Sequence, residues 1–230
     1  MKIGGFQKTS LLDYPDTLSA IIWTVDCNFR CPFCYNKNLV DGTVELIPEE
    51  EILSFLKKRK GLLEGLVISG GEPLMQKDIE GFCSRVKKLG YLIKVDTNGS
   101  FPEKLQELVD KKLVDYVAMD VKAPKEKYDK LSGVKTDIKK IAESIEIIQN
   151  SGLDYEFKTT YAPELLTKED IISIGKWLDG SKKFYLQQFK NEMPLISSKL
   201  GSVSPYSKEE FFSTLEKVKS FFENCDVRGV

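Results

Sequence analysis

In Leu18–Cys34, LSAIIWTVDCNFRCPFC, a short apolar run rich in β-branched residues passes directly into a loop holding three cysteines. A run of that length and composition predicts a buried strand over Leu18–Val25, so the cysteines stand at its C-terminal end. The same rhythm recurs down the chain. GLVISG (Gly65–Gly70) is a strand running into SGGEP, and YLIKVDTNG and VDYVAMDVK repeat the pattern, as do LDYEFKTTYAP and KKFYLQQF. Amphipathic stretches fill the gaps. One helix is expected from near Pro48, others over Lys77–Leu89 and from Pro102, and three more over Asp137–Asn150, Lys168–Leu178 and Lys208–Phe222. Six strand–helix units of about 30 residues each predict a parallel sheet with right-handed crossovers. A closed eight-unit barrel takes about 250 residues. Six units therefore point to an α/β fold of the open, partial (β/α)6 TIM-like kind, with a doubly wound sheet as the rival. In both, active sites assemble at strand C-terminal ends, where the cysteines, SGGEP, DTNG and the Asp120–Lys122 pair all fall.

Composition sets the bounds. The 230 residues are 41% hydrophobic and 30% charged, as in an ordinary soluble protein with one core. A single domain over residues 1–230 is expected, with 1–17 as an N-terminal arm. Residues 190–206, poor in apolar side chains and holding Pro194 and Pro205, are expected to form a surface loop. Thirty-four Lys and Arg against 35 Asp and Glu leave a net charge of −1, which gives no global pull toward nucleic acid or an anionic membrane. The N-terminus lacks the apolar core of a signal peptide and no run is long enough to cross a bilayer, so the cytoplasm is the expected compartment. There is no histidine. Acid–base steps must use Asp, Glu, Lys, Tyr or Cys, and a zinc site would have to rely on cysteine or carboxylate.

Cys27, Cys31 and Cys34 have the spacing C-x3-C-x2-C. Such clustering suits a metal centre in a reducing compartment better than a disulfide framework. Three thiolates can hold three irons of a cubane cluster and leave the fourth iron open to a substrate. A zinc ribbon usually needs two CxxC pairs, and a redox CxxC needs only two cysteines. Cys83 falls in a helical pattern as a small buried hydrophobe, and Cys225 lies in the tail without a partner motif. In SGGEP (Ser69–Pro73), glycines allow close approach of a ligand to the backbone, and Glu72 offers a carboxylate to a cation. A plain strand-to-helix turn would also use these residue types. Turn formation likewise competes as the reading of DTNG (Asp96–Gly99), above all for Thr97 and Asn98.

The cysteine spacing, with aromatic Phe33 before the third cysteine and SGGEP after the next strand, resembles the radical S-adenosylmethionine (SAM) superfamily. That resemblance implies a 4Fe–4S cluster on Cys27, Cys31 and Cys34, and SAM chelating the open iron while Gly70, Gly71 and Glu72 grip its amino group. DTNG and AMDVK (Ala118–Lys122) are similar to the glycyl radical enzyme activating group. There, residues matching Asp96, Thr97 and Asp120, with the Ala118 carbonyl, help bind SAM and a monovalent cation. Lys122 and Lys158 match positions whose basic side chains contact the SAM carboxylate; many members carry Arg at the second, and Lys is not its equivalent in bidentate recognition. GFQKTSLLDYPD at the N-terminus resembles the opening of anaerobic ribonucleoside-triphosphate reductase activating proteins. Two departures stand out: Asp26 precedes the first cysteine where glycine is common, and Tyr35 follows the third where histidine also occurs. The implied partners are a glycyl radical enzyme, such as that reductase, and an electron donor such as flavodoxin or ferredoxin. Radical chemistry on a small molecule or RNA base is the alternative; a non-catalytic iron–sulfur or zinc module is more remote.

Overall fold

Successive residues of the strands part between two cores, which is what a curved sheet with helices on one side requires. Ala20, Ile22, Leu66, Ile68, Ile93, Val95, Val117 and Met119 join the helices in one large apolar cluster. Their neighbours Ile21, Val67, Tyr116 and Ala118 turn the other way, into a smaller cluster closed by Tyr14. The computed structural model describes residues 1–229. Its sheet has eight strands: β1 (Ile3–Ser10), β2 (Ser19–Thr24), β3 (Gly65–Gly70), β4 (Leu92–Thr97), β5 (Tyr116–Asp120), β6 (Asp154–Tyr161), β7 (Ser181–Gln188) and β8 (Phe222–Arg228). They neighbour one another strictly in chain order, β1 antiparallel to β2 and all later pairs parallel. A doubly wound sheet reverses its strand order at a switch point. Here the order never reverses, so successive right-handed crossovers put the helices on one face and the sheet curls as an open partial barrel.

The helices are α1 (Lys37–Asp41), α2 (Glu49–Lys58), α3 (Ile79–Lys88), α4 (Pro102–Asp110), α5 (Tyr128–Ser132), α6 (Ile138–Asn150), α7 (Lys168–Trp177) and α8 (Lys208–Leu215). Their starts follow from local chemistry. Pro102 opens α4, the Asp137 side chain accepts from Lys139 N, and Thr167 with Asp170 and Ser207 with Glu210 form reciprocal capping boxes. Ile52, Leu56, Phe82, Val86, Ile141 and Ile145 bury the inner stripes of α2, α3 and α6. Each such side chain contributes about 1.5–3 kcal/mol of transfer free energy.

Two expectations need correction, and a third gains detail. The N-terminal arm is in large part strand β1, because Ile3 is fully buried and the antiparallel pairing covers the edge that β2 would otherwise expose. The final helix is shorter than its pattern suggests: α8 ends at Leu215, and Phe222 begins an unforeseen parallel strand that carries Cys225. Residues 190–206 are largely irregular and exposed, but they are anchored. Leu195 and Leu200 are buried, and Ile196 N and Ser197 N donate to the carbonyls of Cys34 (3.0 Å) and Pro32 (2.9 Å), clasping the cysteine loop.

Candidate active site

The loop between β2 and α1 carries the three cysteines, and its entry is braced from several sides. Val25 N donates to Lys2 O at 2.9 Å, Gln76 Nε2 donates to Val25 O at 2.7 Å, and Lys2 Nζ reaches the Asp26 carboxylate at 2.9 Å. Asp26 itself sits at φ 73°, a left-handed conformation that Asp tolerates better than most residues. Across the loop, Arg30 N donates to Ser132 O at 2.7 Å. The glycines of SGGEP then let β3 close on this loop. A Cβ on Gly70, whose φ is 120°, would lie 2.2 Å from Thr24 N, and one on Gly71 would lie 2.0 Å from Asp26 O. The glycines are needed for the approach of the cysteine loop's own backbone, and both still line the cavity beyond it.

That cavity, about 660 Å³, is lined by Cys27, Cys31 and Cys34 on one side and by the C-terminal ends of β3 to β8 on the other. Phe33, Gly70, Gly71, Asp96, Thr97, Asp120, Lys122 and Lys158 all line it. Two candidates do not. Ala118 packs with Ile21, Val67 and Tyr116 below the site. Glu72 is completely buried behind the wall, where Oε1 accepts from Leu74 N (3.0 Å) and Thr97 Oγ1 (2.8 Å), and Oε2 accepts from Asn98 N (2.7 Å). Burial pushes its carboxyl up to about 7 against the pull of these three donors. Glu72 thus ties the turn after β3 to the turn after β4, the role of a hub rather than of an open carboxylate.

Parallel register stacks the charged residues. Asp96 lies beside Ala118 and then Glu156; Asp120 lies beside Lys158 and then Tyr185. Lys94 Nζ is 3.1 Å from Asp96 Oδ1, Lys158 Nζ is 3.5 Å from Asp96 Oδ2 and 3.6 Å from Asp120 Oδ2, and Lys122 Nζ is 3.2 Å from Asp120 Oδ1. Burial alone would raise Asp96, but Lys158, Lys94 and the Ser69 hydroxyl hold it well below the usual carboxylate range. Burial alone would lower Lys122 and Lys158; Asp120 above all keeps both charged. Deeper in, Glu156 is fully buried and takes a bidentate pair from Arg228 (2.6 and 2.8 Å) and a hydrogen bond from Tyr116 (3.0 Å). The motifs gave no notice of Lys94, Glu156, Arg228, Gln187 or Gln188. A signal existed: Lys94 interrupts the apolar start of β4, and Glu156 and Lys158 alternate with the buried Tyr155 and Phe157 in β6, which marks a sheet face turned to a polar interior.

The donor set fits an iron–sulfur cluster. All three thiols are free and face one cavity. Burial pushes Cys27 up to about 12 and Cys31 up to about 11. They are thiols until a metal displaces their protons. Phe29 N donates to Cys27 Sγ at 3.4 Å, and Asn98 Nδ2 stands 4.0 Å from it, so a thiolate there has amide donors in place. Among the described residues no three His, Cys, Asp or Glu side chains converge closely enough for a single ion. Nor is any helix there long and apolar enough to cross a membrane.

An open partial barrel with three thiols at strand ends lined by glycines, carboxylates and lysines is the arrangement of an enzyme built around a metal cluster. The chain belongs to the radical SAM superfamily, whose sequence profile matches residues 21–178. It is 34% identical over 239 residues to a protein of Methanocaldococcus jannaschii provisionally named a glycyl-radical enzyme activating enzyme, covering 99% of this chain and 96% of that one. It is 37% identical over 105 residues to the 7-carboxy-7-deazaguanine synthase of Thermoplasma acidophilum, covering 45% of this chain and 47% of the relative. The fold matches that of Streptococcus suis SuiB bound to S-adenosylmethionine, with TM-score 0.70 at 16% identity over 91% of this chain and 50% of that one. Membership of the superfamily makes a 4Fe–4S cluster and SAM its cofactors, while the SuiB match shows the fold alone.

Proposed function

We propose that this enzyme generates a glycyl radical on a partner protein, an anaerobic ribonucleotide reductase by the resemblance of its N-terminal segment. The observation that carries the reading is the near full-length similarity to the M. jannaschii protein. When bound, cluster and SAM together supply a 5′-deoxyadenosyl radical by reductive cleavage of a carbon–sulfur bond. The chain's own residues do the rest. Cys27, Cys31 and Cys34 would hold the cluster, and the Gly70–Gly71 backbone, with Glu72 fixed behind it, would receive the amino group of SAM. Lys122 and Lys158 present positive charge to the carboxylate, and Phe33, under Lys122 Nζ at 5.8 Å, screens that side of the cavity from water. The open barrel leaves room for an extended glycine-bearing loop, whose Cα hydrogen no side chain would shield. Flavodoxin or ferredoxin would supply the electron.

The test uses anaerobically reconstituted, reduced enzyme with SAM and a candidate reductase. A glycine-centred radical on the partner, by electron paramagnetic resonance, together with 5′-deoxyadenosine, is the expected result. Cys31→Ala should abolish both. A variant with full activity would refute the cluster assignment. A second reading, action on a purine-like small molecule, draws on the similarity to the deazaguanine synthase. Product formation from such a substrate, with no radical on any partner, would favour it.

A further inference from the structure

Asp96, Thr97 and Asp120 match the cation ligands of the activating group, yet lysine ammonium groups already stand at both carboxylates. Lys158 Nζ stands between the two carboxylates, 3.5 Å from Asp96 Oδ2 and 3.6 Å from Asp120 Oδ2. Around them, Ser69 Oγ donates to Asp96 Oδ2 at 2.9 Å and Lys122 faces Asp120 Oδ1 at 3.2 Å, while Asp96 Oδ1 is buried without a hydrogen bond and has Lys94 Nζ 3.1 Å away as an ion-pair partner. Thr97 lines the cavity, but its Oγ1 already donates to Glu72 Oε1 at 2.8 Å and accepts from Gly99 N at 3.1 Å.

We infer that Lys158 takes the place of a metal cation between Asp96 and Asp120, so that this enzyme binds SAM without sodium or potassium. Charge balance leads the same way. Within the inner network Lys94, Lys122, Lys158 and Arg228 face Asp96, Asp120 and Glu156, four cations against three carboxylates. The excess of one positive charge suits the carboxylate of an amino-acid ligand, whereas a further cation would meet ammonium groups on both carboxylates in a site of low dielectric. Nor is Lys158 a mobile surface lysine. Its side chain is 12% exposed, and in-register pairing with Asp120 on the neighbouring strand fixes where its stem begins. A cation on the same two carboxylates would have to displace a group that cannot diffuse away.

Given the cavity's assignment as the SAM site, the test is equilibrium dialysis of SAM with cluster-loaded protein. Choline, sodium and potassium chlorides are compared at equal ionic strength. Wild-type affinity should agree within about twofold across the three salts, and about tenfold tighter binding in sodium or potassium would overturn the inference. Lys158→Ala should bind about tenfold or more weakly in choline, from loss of a charge-assisted contact, and recover as potassium is added. Wild-type-like binding of the alanine variant in choline would equally overturn it. Lys158→Arg, which keeps the charge, should stay indifferent to the salt; iron content and melting temperature check that both variants fold. Wild-type protein that binds no SAM in any salt would overturn the cavity's assignment together with the inference, whereas cation-dependent binding would overturn the inference alone.

Discussion

Gly71→Ala should detach the cluster from a protein that still folds. An ideal Cβ at Gly71 lies 2.0 Å from Asp26 O, 2.7 Å from Asp26 C and 3.3 Å from Cys27 Cβ, against a practical minimum of 3.0 Å. The Asp26 carbonyl must therefore retreat by about an ångström, and it is backbone, with no rotamer to offer. Retreat stretches the bond from Glu72 N to Asp26 O, now 2.9 Å, and carries the adjoining Cys27 with it. Overpacking costs about 1–3 kcal/mol, and a weakened buried hydrogen bond adds about 1 kcal/mol. A loss of about 2–4 kcal/mol is survivable for a domain with the usual 5–15 kcal/mol of stability. Catalysis tolerates it less, since a misplacement of about 1 Å costs roughly 10²-fold. Iron content after anaerobic reconstitution, thermal melting and 5′-deoxyadenosine formation would be measured beside Gly81→Ala. At Gly81, inside α3, nothing lies within 4 Å of the added Cβ, and alanine should stabilise the helix by up to about 1 kcal/mol. If Gly71→Ala matched wild type in iron content, melting and product, the steric reasoning would be wrong.

Glu156 is held below its ordinary value: burial would raise it, but Arg228 and Lys94 outweigh that. Its contribution to stability is thus complete above the unfolded carboxylate's pKa of about 4.3 and is lost as pH falls through the lower folded value. Glu156→Gln should cost about 3 kcal/mol near neutral pH, the low end for a broken buried pair because Arg228 is 34% exposed, and should flatten the acid limb of melting temperature against pH. An acid limb identical to wild type would show that Glu156 is not a linked group. Ile196→Pro removes the donor to Cys34 O, at a cost of about 1 kcal/mol. It should also speed iron release to a chelator; unchanged release would mean that the 190–206 segment does not support the cluster loop.

What the chain spells out locally was legible, and what depends on neighbours was not. The six-unit rhythm, the cysteine spacing and the clustering of motifs at one sheet edge follow from periodicity and turn chemistry. β1 was hidden because its centre, Phe6 to Thr9, is half-exposed or exposed and so lacks the apolar run of a buried strand. β8 was hidden for a similar reason: FENCDVR buries only Phe222, and its register comes from β7. Among the site residues, Glu72 illustrates the limit. The motif gives its place after β3, but three donors from two different turns decide that it faces inward. Lys158 shows the same limit from the other side: only pairing beside Asp120 reveals which carboxylates it joins.

An open barrel must solve a problem that a closed one avoids, and the interior charges follow from it. β1 and β8 do not pair among the described residues, so the inner face cannot be filled by layers of apolar side chains as in a closed barrel. Tyr14 and Ile21, with Val67 and Tyr116, make an apolar floor, and above it the inner positions carry lysine, aspartate and glutamate. Buried charges are tolerable only when paired. Arg228, stacked 3.5 Å over the Tyr185 ring, supplies from the last strand a cation hydrogen-bonded to Glu156, where the inner strands bring the neutral Tyr116 hydroxyl at 3.0 Å and Lys94 Nζ at 3.9 Å. The C-terminal strand therefore completes the charge balance of the site as well as the sheet. That balance leaves one positive charge in excess, beneath a cluster loop whose thiolates are negative, and a zwitterionic amino-acid ligand can bridge the two.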